Sequence, residues 1–273
     1  MRVVSSDGVA LAVHDLGGQG PALVLAHATG FHGRVWDPLA GTLAPRFHCW
    51  SFDARGHGHS GRPEPPDFDW EGFGADVLAV VGGAGLDRPF GFGHSQGGTA
   101  LLLAEQARPG TFAGLYLFEP VAWPGPMEMD DHPLVVGAER RRGDFASVEA
   151  ARARLGSRPP LSELDPAVLR AYVDHGVVPA PGGGVRLACH PGDEARVYRQ
   201  GVRHRAYARL GSVTCPVVIA RGRDTQAVPA ALARDQVRRL PRGRLEELDG
   251  LGHLGPLEDP ARVAAAVAAA LTA

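Results

Sequence analysis

Lysine is missing from this chain: all 28 basic residues are arginine. That excludes a lysine Schiff base, a lysine general base and the phosphate-gripping lysine of a Walker-type loop. Ala, Gly, Pro and Arg are abundant together, which points to the nucleotide composition of the source as the cause. Cysteine is scarce as well. Cys49, Cys189 and Cys215 are odd in number, far apart and without metal-ligand spacing. A disulfide framework is therefore not expected, and a reducing, cytoplasmic setting is. Neither sign of charge dominates; a formal net charge of −2 gives no general pull toward nucleic acid or anionic membrane. The opening MRVVSSDGVALAVHD breaks with Ser5-Ser6-Asp7 before an apolar stretch forms, so no signal peptide is expected. The Ala-rich end RVAAAVAAALTA is too short to span a bilayer. It reads as an amphipathic helix with Asp259 as N-cap, Pro260 at the first helical position and Val263, Val267 and Leu271 on one stripe.

What is present is a globular composition, 44% hydrophobic and 21% charged over 273 residues, enough for one large domain or one domain with an insertion. RVVSSDGVALAVHD predicts an antiparallel hairpin at a sheet edge, turning at Asp7-Gly8. From residue 21 short apolar runs alternate with helical patterns: PALVLAHA, FHCWSFDA, PFGFGH and FAGLYLFE as strands, with GRVWDPLAGTLA, WEGFGADVLAVVGGAGL and QGGTALLLAEQA as helices. This alternation is the signature of a mostly parallel central sheet flanked by helices, an α/β fold. It stops over residues 121–209, where Pro-rich and Gly-rich stretches separate helical pieces. It resumes with CPVVIARG, PAALARDQVRRL, GRLEELDG and the last helix. The expected organisation is a core of residues 1–120 and 210–273 with an inserted, mostly helical lid over 121–209.

Gly93-His94-Ser95-Gln96-Gly97 fits the G-x-S-x-G elbow, with a strand before it and a helix after it. The glycines suit a strained bend where flanking side chains would clash, and Gly98, Thr99 and Ala100 keep the helix slim against the sheet. The helix N-terminus then directs backbone N–H groups and its positive end at the serine. On these five residues alone, an ordinary strand–helix turn explains the pattern as well as a nucleophile does. Elsewhere the chain supplies the other parts. His253, in GLGHLGPLEDP, lies between the last strand and the last helix, where a general base is wanted. AHATGF, residues 26–31, follows a strand and can offer the Thr29 N–H to pair with that of Gln96 as an oxyanion hole.

The order of elbow, acid and histidine, with AHATG upstream and DARGHGHSG between, resembles the α/β-hydrolase fold superfamily from about residue 9 to the end, apart from the lid. The resemblance implies that His27 and Asp53-Arg55-Gly56 brace loops rather than react. The chain departs from it at His27-Ala28, where the family often has His-Gly. GHGHSG, residues 56–61, matches a nucleotide-binding pattern, but Arg62-Pro63 and Pro65-Pro66 stand where the helix would have to begin, so it reads as a turn. His57 and His59 have no carboxylate or cysteine partner at metal-ligand spacing, so no metal is expected.

Two carboxylates compete to orient His253. Many members of the superfamily take the acid from a Gly-x-x-Asp-like loop after the penultimate strand, where this chain has Thr225 with Asp224 one residue early. Some lidded members, certain haloalkane dehalogenases among them, carry a Glu at the end of the strand after the elbow helix, and Glu119 in AGLYLFEPVAWP resembles that arrangement. Glu119 is preferred, with Asp224 as the alternative. The expected reaction is acyl transfer to water from a small to medium ester or lactone, through an acyl-enzyme on Ser95 and without a cofactor. Serine at position 95 argues against the branches that use a carboxylate nucleophile. The same parts would serve a carbon–carbon bond hydrolase, a thioesterase or a non-catalytic small-molecule receptor, so the expected partner is a small molecule in each case. Phe31, Trp36, His94, Trp123, Met127 and Met129 are candidates for a pocket wall, each with ordinary packing as the competing explanation. Arg196, Arg199, Arg203, Arg205 and Arg209 recur at near-helical spacing and read as a solvated face.

Overall fold

In a strand, alternate side chains face opposite sides, so an apolar run with no polar alternation needs cover on both faces of its sheet. The computed structural model, which describes residues 1–125 and 127–272, folds accordingly. The chain runs β1 (Arg2–Val4), β2 (Ala10–Gly18), β3 (Ala22–Ala26), α1 (Asp37–Leu43), β4 (His48–Phe52), α2 (Trp70–Gly83), β5 (Phe90–His94), α3 (Gln96–Ala107) and β6 (Gly114–Phe118). It then leaves the sheet through α4 (Pro133–Glu139), β7 (Asp144–Phe145), α5 (Val148–Leu155), α6 (Pro166–Gly176), β8 (Val177–Pro179), β9 (Val185–Leu187) and α7 (Pro191–Gln200). It returns through β10 (Val217–Gly222), α8 (Ala230–Arg239), β11 (Gly243–Leu248), α9 (Gly255–Glu258) and α10 (Pro260–Leu271).

The main sheet has eight strands in the order β1-β2-β4-β3-β5-β6-β10-β11. β2 is antiparallel to both β1 and β4, and every other pairing is parallel. Leu23, Leu25, Phe92, Tyr116, Phe118 and Val218 pack in one layer with α1 and α10. Their neighbours Val24, Ala26, Leu115, Leu117, Val217 and Ile219 pack in the other, with α2, α3 and α8. The period of two thus sets the three layers. Strand order reverses at β3, which has β4 on one side and β5 on the other. Such a switch opens a crevice beyond the carboxyl ends of the two strands, and both the 27–31 loop and Ser95 emerge there.

The segment between β6 and β10 is helical apart from a three-stranded antiparallel sheet, β7-β9-β8, which the sequence did not announce. It is tied down at several points. Leu161, Leu164, Val168 and Tyr172 join the α1/α10 layer, Asp165 N–H donates to Leu257 O at 2.9 Å, and Trp70 Nε1 donates to Val197 O at 2.9 Å. Its arginines lie at the surface, Arg196, Arg203 and Arg205 exposed and Arg199 and Arg209 half-buried, and three of them are paired: Arg196 with Asp193, Arg199 with Asp130 and Glu139, and Arg209 with Glu71. The 56–61 stretch is a turn with Gly56 and Gly58 at φ 72° and 51°. At the C-terminus Asp259 caps α10 by accepting from Arg262 N–H, and Val263, Val267 and Leu271 are buried on one stripe. No helix among the described residues is long and apolar enough to cross a membrane.

Candidate active site

Gly93 ends β5 so close to α3 that a Cβ there would lie 2.6 Å from Gly98 Cα. A Cβ on Gly97 would lie 2.3 Å from Ala26 O and 2.5 Å from His27 O. Only glycine at both positions lets the strand turn directly into the helix and the 27–31 loop lie against it. Ser95 sits between them at φ 54°, ψ −117°, with its N–H on Phe118 O at 2.9 Å and its carbonyl accepting from Thr99 N–H at 3.1 Å. Among the described residues three non-glycines have positive φ, Arg88, Ser95 and Glu119, so two of the three stand at adjacent strand ends in this site. Left-handed backbone costs an L-residue about 1–2 kcal/mol, and strain held at a crevice is the kind that function preserves.

Glu119 follows β6 and is wholly buried. A buried carboxylate is costly unless its oxygens accept hydrogen bonds. Oε1 accepts from Gly222 N–H at 2.9 Å, and Oε2 from Thr225 Oγ1 at 2.9 Å and from His253 Nδ1 at 2.6 Å. With Nδ1 committed to the carboxylate, Nε2 is the ring nitrogen left for another partner. Asp224, by contrast, is exposed, because the side chain that turns inward from the loop after β10 is its neighbour Thr225. The two acid candidates are thereby separated: Glu119 meets His253, and Asp224 does not.

His94 has a different place from the pocket wall expected of it. It is fully buried and donates from Nε2 to His253 O at 2.8 Å. The two rings are 5.0 Å apart, which holds the His253 loop against the elbow. Burial, with His253 beside it, keeps the His94 imidazole well below its ordinary pKa and so neutral. His27 and His57 hold the neighbouring loops. His27 donates from Nδ1 to Ala28 O at 2.8 Å and accepts Ala54 N–H on Nε2 at 2.9 Å. His57 accepts Gly30 N–H on Nε2 at 3.0 Å. Burial, then the neighbouring His57, pushes His27 down to about 3. Asp53 accepts from Gly33 N–H and His59 N–H, and Arg55 forms a two-pronged pair with buried Asp76. The Thr29 and Gln96 amides have no backbone acceptor among the described residues, and both residues are buried.

Of the remaining pocket candidates, Phe31 lines a narrow crevice with about 10 Å³ of free space. Trp36 is a correction: it is fully buried and meets Phe92 edge-on at 5.1 Å, so it packs the core. Trp123 and Met129 are half-buried and Met127 is 40% exposed, and none of the three lines that crevice. Met129 packs instead against Val135, Ala138 and Ala195 of the inserted segment. Neither that crevice nor the larger groove beside it is lined by Ser95 or His253; the crevice borders the 27–31 loop through Gly30 and Phe31, and the groove borders the 56–62 turn.

Sequence reasoning missed Thr225 as a donor to Glu119 and missed a charged pair, Arg141 and Glu194, packed against Gly30. Gly30 carried a signal: it has φ +83°, and a Cβ there would lie 2.7 Å from Glu194 Oε1.

Comparison with known proteins agrees with this fold. A 2-(acetamidomethylene)succinate hydrolase of Mesorhizobium japonicum is 26% identical over 214 residues, 78% of this chain and 74% of that one. A pimeloyl-[acyl-carrier protein] methyl ester esterase of Nitrosomonas europaea is 28% identical over 257 residues, 89% of this chain and 92% of that one. The crystal structure of an E-2-(acetamidomethylene)succinate hydrolase superposes with a TM-score of 0.85 at 23% identity, over 100% of this chain and 99% of that one. These relatives are hydrolases. The model of the alpha/beta hydrolase family matches residues 23–266, from β3 into α10, and the chain belongs to that family.

Proposed function

We propose that this protein is a serine hydrolase that cleaves a small to medium ester or lactone through an acyl-enzyme on Ser95. The observation that carries the reading is the 2.6 Å bond from His253 Nδ1 to buried Glu119, beside a serine held at positive φ between two glycines that nothing larger can replace. In this reading Ser95 Oγ attacks the carbonyl carbon while His253 Nε2 takes its proton. The tetrahedral oxyanion lies on the N–H groups of Thr29 and Gln96, at the positive end of α3. Collapse expels the alcohol, which takes the proton back from His253. Water, deprotonated by the same nitrogen, then releases the acid and restores Ser95. Glu119 holds the ring in the tautomer that leaves Nε2 free and offsets the charge of the imidazolium. Residues 121–209 cap the site, with Phe31 on its wall.

Steady-state assays with a series of p-nitrophenyl esters from acetate to octanoate test the reading. The wild-type protein should turn over the shorter members continuously, and Ser95→Ala should lose at least about 10³-fold in kcat. A single burst without turnover, or equal rates for the two proteins, would contradict it.

A further inference from the structure

The inserted segment places a guanidinium where the proposed reaction has no use for one. Arg141, just past α4, lines the crevice together with Gly30, Phe31, His32, Tyr172 and Cys189. Gly30 is the residue after Thr29, and Arg141 Nη1 lies 3.7 Å from where a Gly30 Cβ would be. Glu194 stands 3.1 Å from Arg141, yet Glu194 Oε2 accepts no well-directed hydrogen bond among the described residues. The pair is close but not aligned, which leaves planar N–H donors facing the crevice.

The crevice shares Leu187 and Ala188 with a wider groove that opens to solvent. That groove is bordered by Arg62, Arg186, Arg196, His190 and Asp193. Arg62 and Arg196 both pair with the single carboxylate of Asp193, and Arg186 is exposed at the same groove. Three guanidiniums against one carboxylate leave the mouth net positive, in a chain whose overall charge is −2. A concave basic patch over low-dielectric walls concentrates small anions and speeds their arrival.

We propose that the substrate carries a carboxylate on its acyl side, drawn in by the Arg62–Arg186–Arg196 mouth and held on Arg141 beside the oxyanion loop. This deepens the serine-hydrolase reading and rests on it. Arg141 acts here as a specificity residue: it grips a part of the substrate that does not react, and that grip orients the ester carbonyl over Ser95.

The test compares matched phenyl esters: phenyl butyrate, pentanoate and hexanoate against the monophenyl esters of succinic, glutaric and adipic acids. In the wild-type protein at least one acid should exceed its neutral partner in kcat/KM by about tenfold or more, the worth of one charge-assisted hydrogen bond. The advantage should shrink as ionic strength rises. Arg141→Gln should bring the acid-to-neutral ratio close to one by raising KM for the acid, and Arg141→Lys should recover part of it. A merely structural Arg141 would instead lower both rates together. Arg186→Glu, at an exposed position, should lower the same ratio through the mouth. Turnover of neutral esters with no acid preferred would overturn the carboxylate proposal and leave the hydrolase reading standing. If neither ester is turned over, calorimetry of glutarate and adipate against the wild-type protein decides. Binding that Arg141→Gln abolishes supports the anion site without the hydrolase, and no binding overturns it.

Discussion

Glu119, wholly buried, receives three donors from two parts of the chain: Gly222 N–H and Thr225 Oγ1 from the end of β10 and the loop after it, and His253 Nδ1 from the loop before α9. Replacing its carboxylate with an amide keeps the volume but offers an N–H where an acceptor is needed. It also removes the charge opposite the imidazolium. Glu119→Gln should therefore lower kcat by on the order of 10³–10⁴, the scale of losing a triad acid, while Asp224→Asn, at an exposed position, changes it little. Steady-state kinetics on both variants check this, and the reverse pattern would return the role to Asp224. In the sequence the two carboxylates were nearly equal, since each ends a strand beside the site. What separates them is which of two adjacent side chains, Asp224 or Thr225, turns inward after β10, and no local pattern records that direction. His94 shows the same limit. Its position next to Ser95 was visible, but its bond to the backbone of His253 joins residues far apart in sequence.

At the scale of elements, the junction of β5 and α3 was the most legible part of the chain. Gly93 and Gly97 are demanded by contacts a side chain could not survive, so the motif and the geometry carry the same information. Gly97→Ala would drive a methyl to 2.3 Å from Ala26 O, and strand β3 cannot yield without disturbing its pairing to β4 and β5. It should cost about 1–3 kcal/mol, the range of overpacking a full site, and push the Thr29 loop from the elbow. Urea unfolding measures the first effect and kcat the second; an unchanged kcat would detach that loop from catalysis. β7, β8 and β9 were not legible, being two or three residues long and too short to show a period. α9 escaped for the same reason, a single turn inside the loop that bears His253. The Arg141–Glu194 contact had no local signature either; only the glycine it presses upon hinted at a close approach.

Across the whole molecule, several histidines are buried in neutral form. Burial pushes His27 down to about 3 and His32 down to about 4, and it lowers His57 and His94 as well. An unfolded chain protonates its histidines near about pH 6.5, so below that pH the unfolded state binds more protons than the native one. Stability therefore falls as pH drops from about 6.5 toward about 4, by at most about 2 kcal/mol per histidine at about pH 5. Asp53, held below the usual carboxylate range even though burial opposes it, chiefly by the hydrogen bond from His14, adds to the loss at still lower pH. Urea midpoints at about pH 7.5 and about pH 5 should differ in that direction with an unchanged slope. Equal midpoints would mean that water reaches these rings. The layered sheet itself was readable from alternating runs and helical periods, because burying both faces of a parallel sheet leaves that pattern little freedom.

Every step of the proposed chemistry depends on Ser95 being an activated nucleophile. Intact-mass analysis with peptide mapping, after exposure to a fluorophosphonate, tests this most directly. One adduct should form, on Ser95, that His253→Ala abolishes and Asp224→Asn leaves in place. A folded protein that stays unlabelled, or one labelled elsewhere, would contradict it.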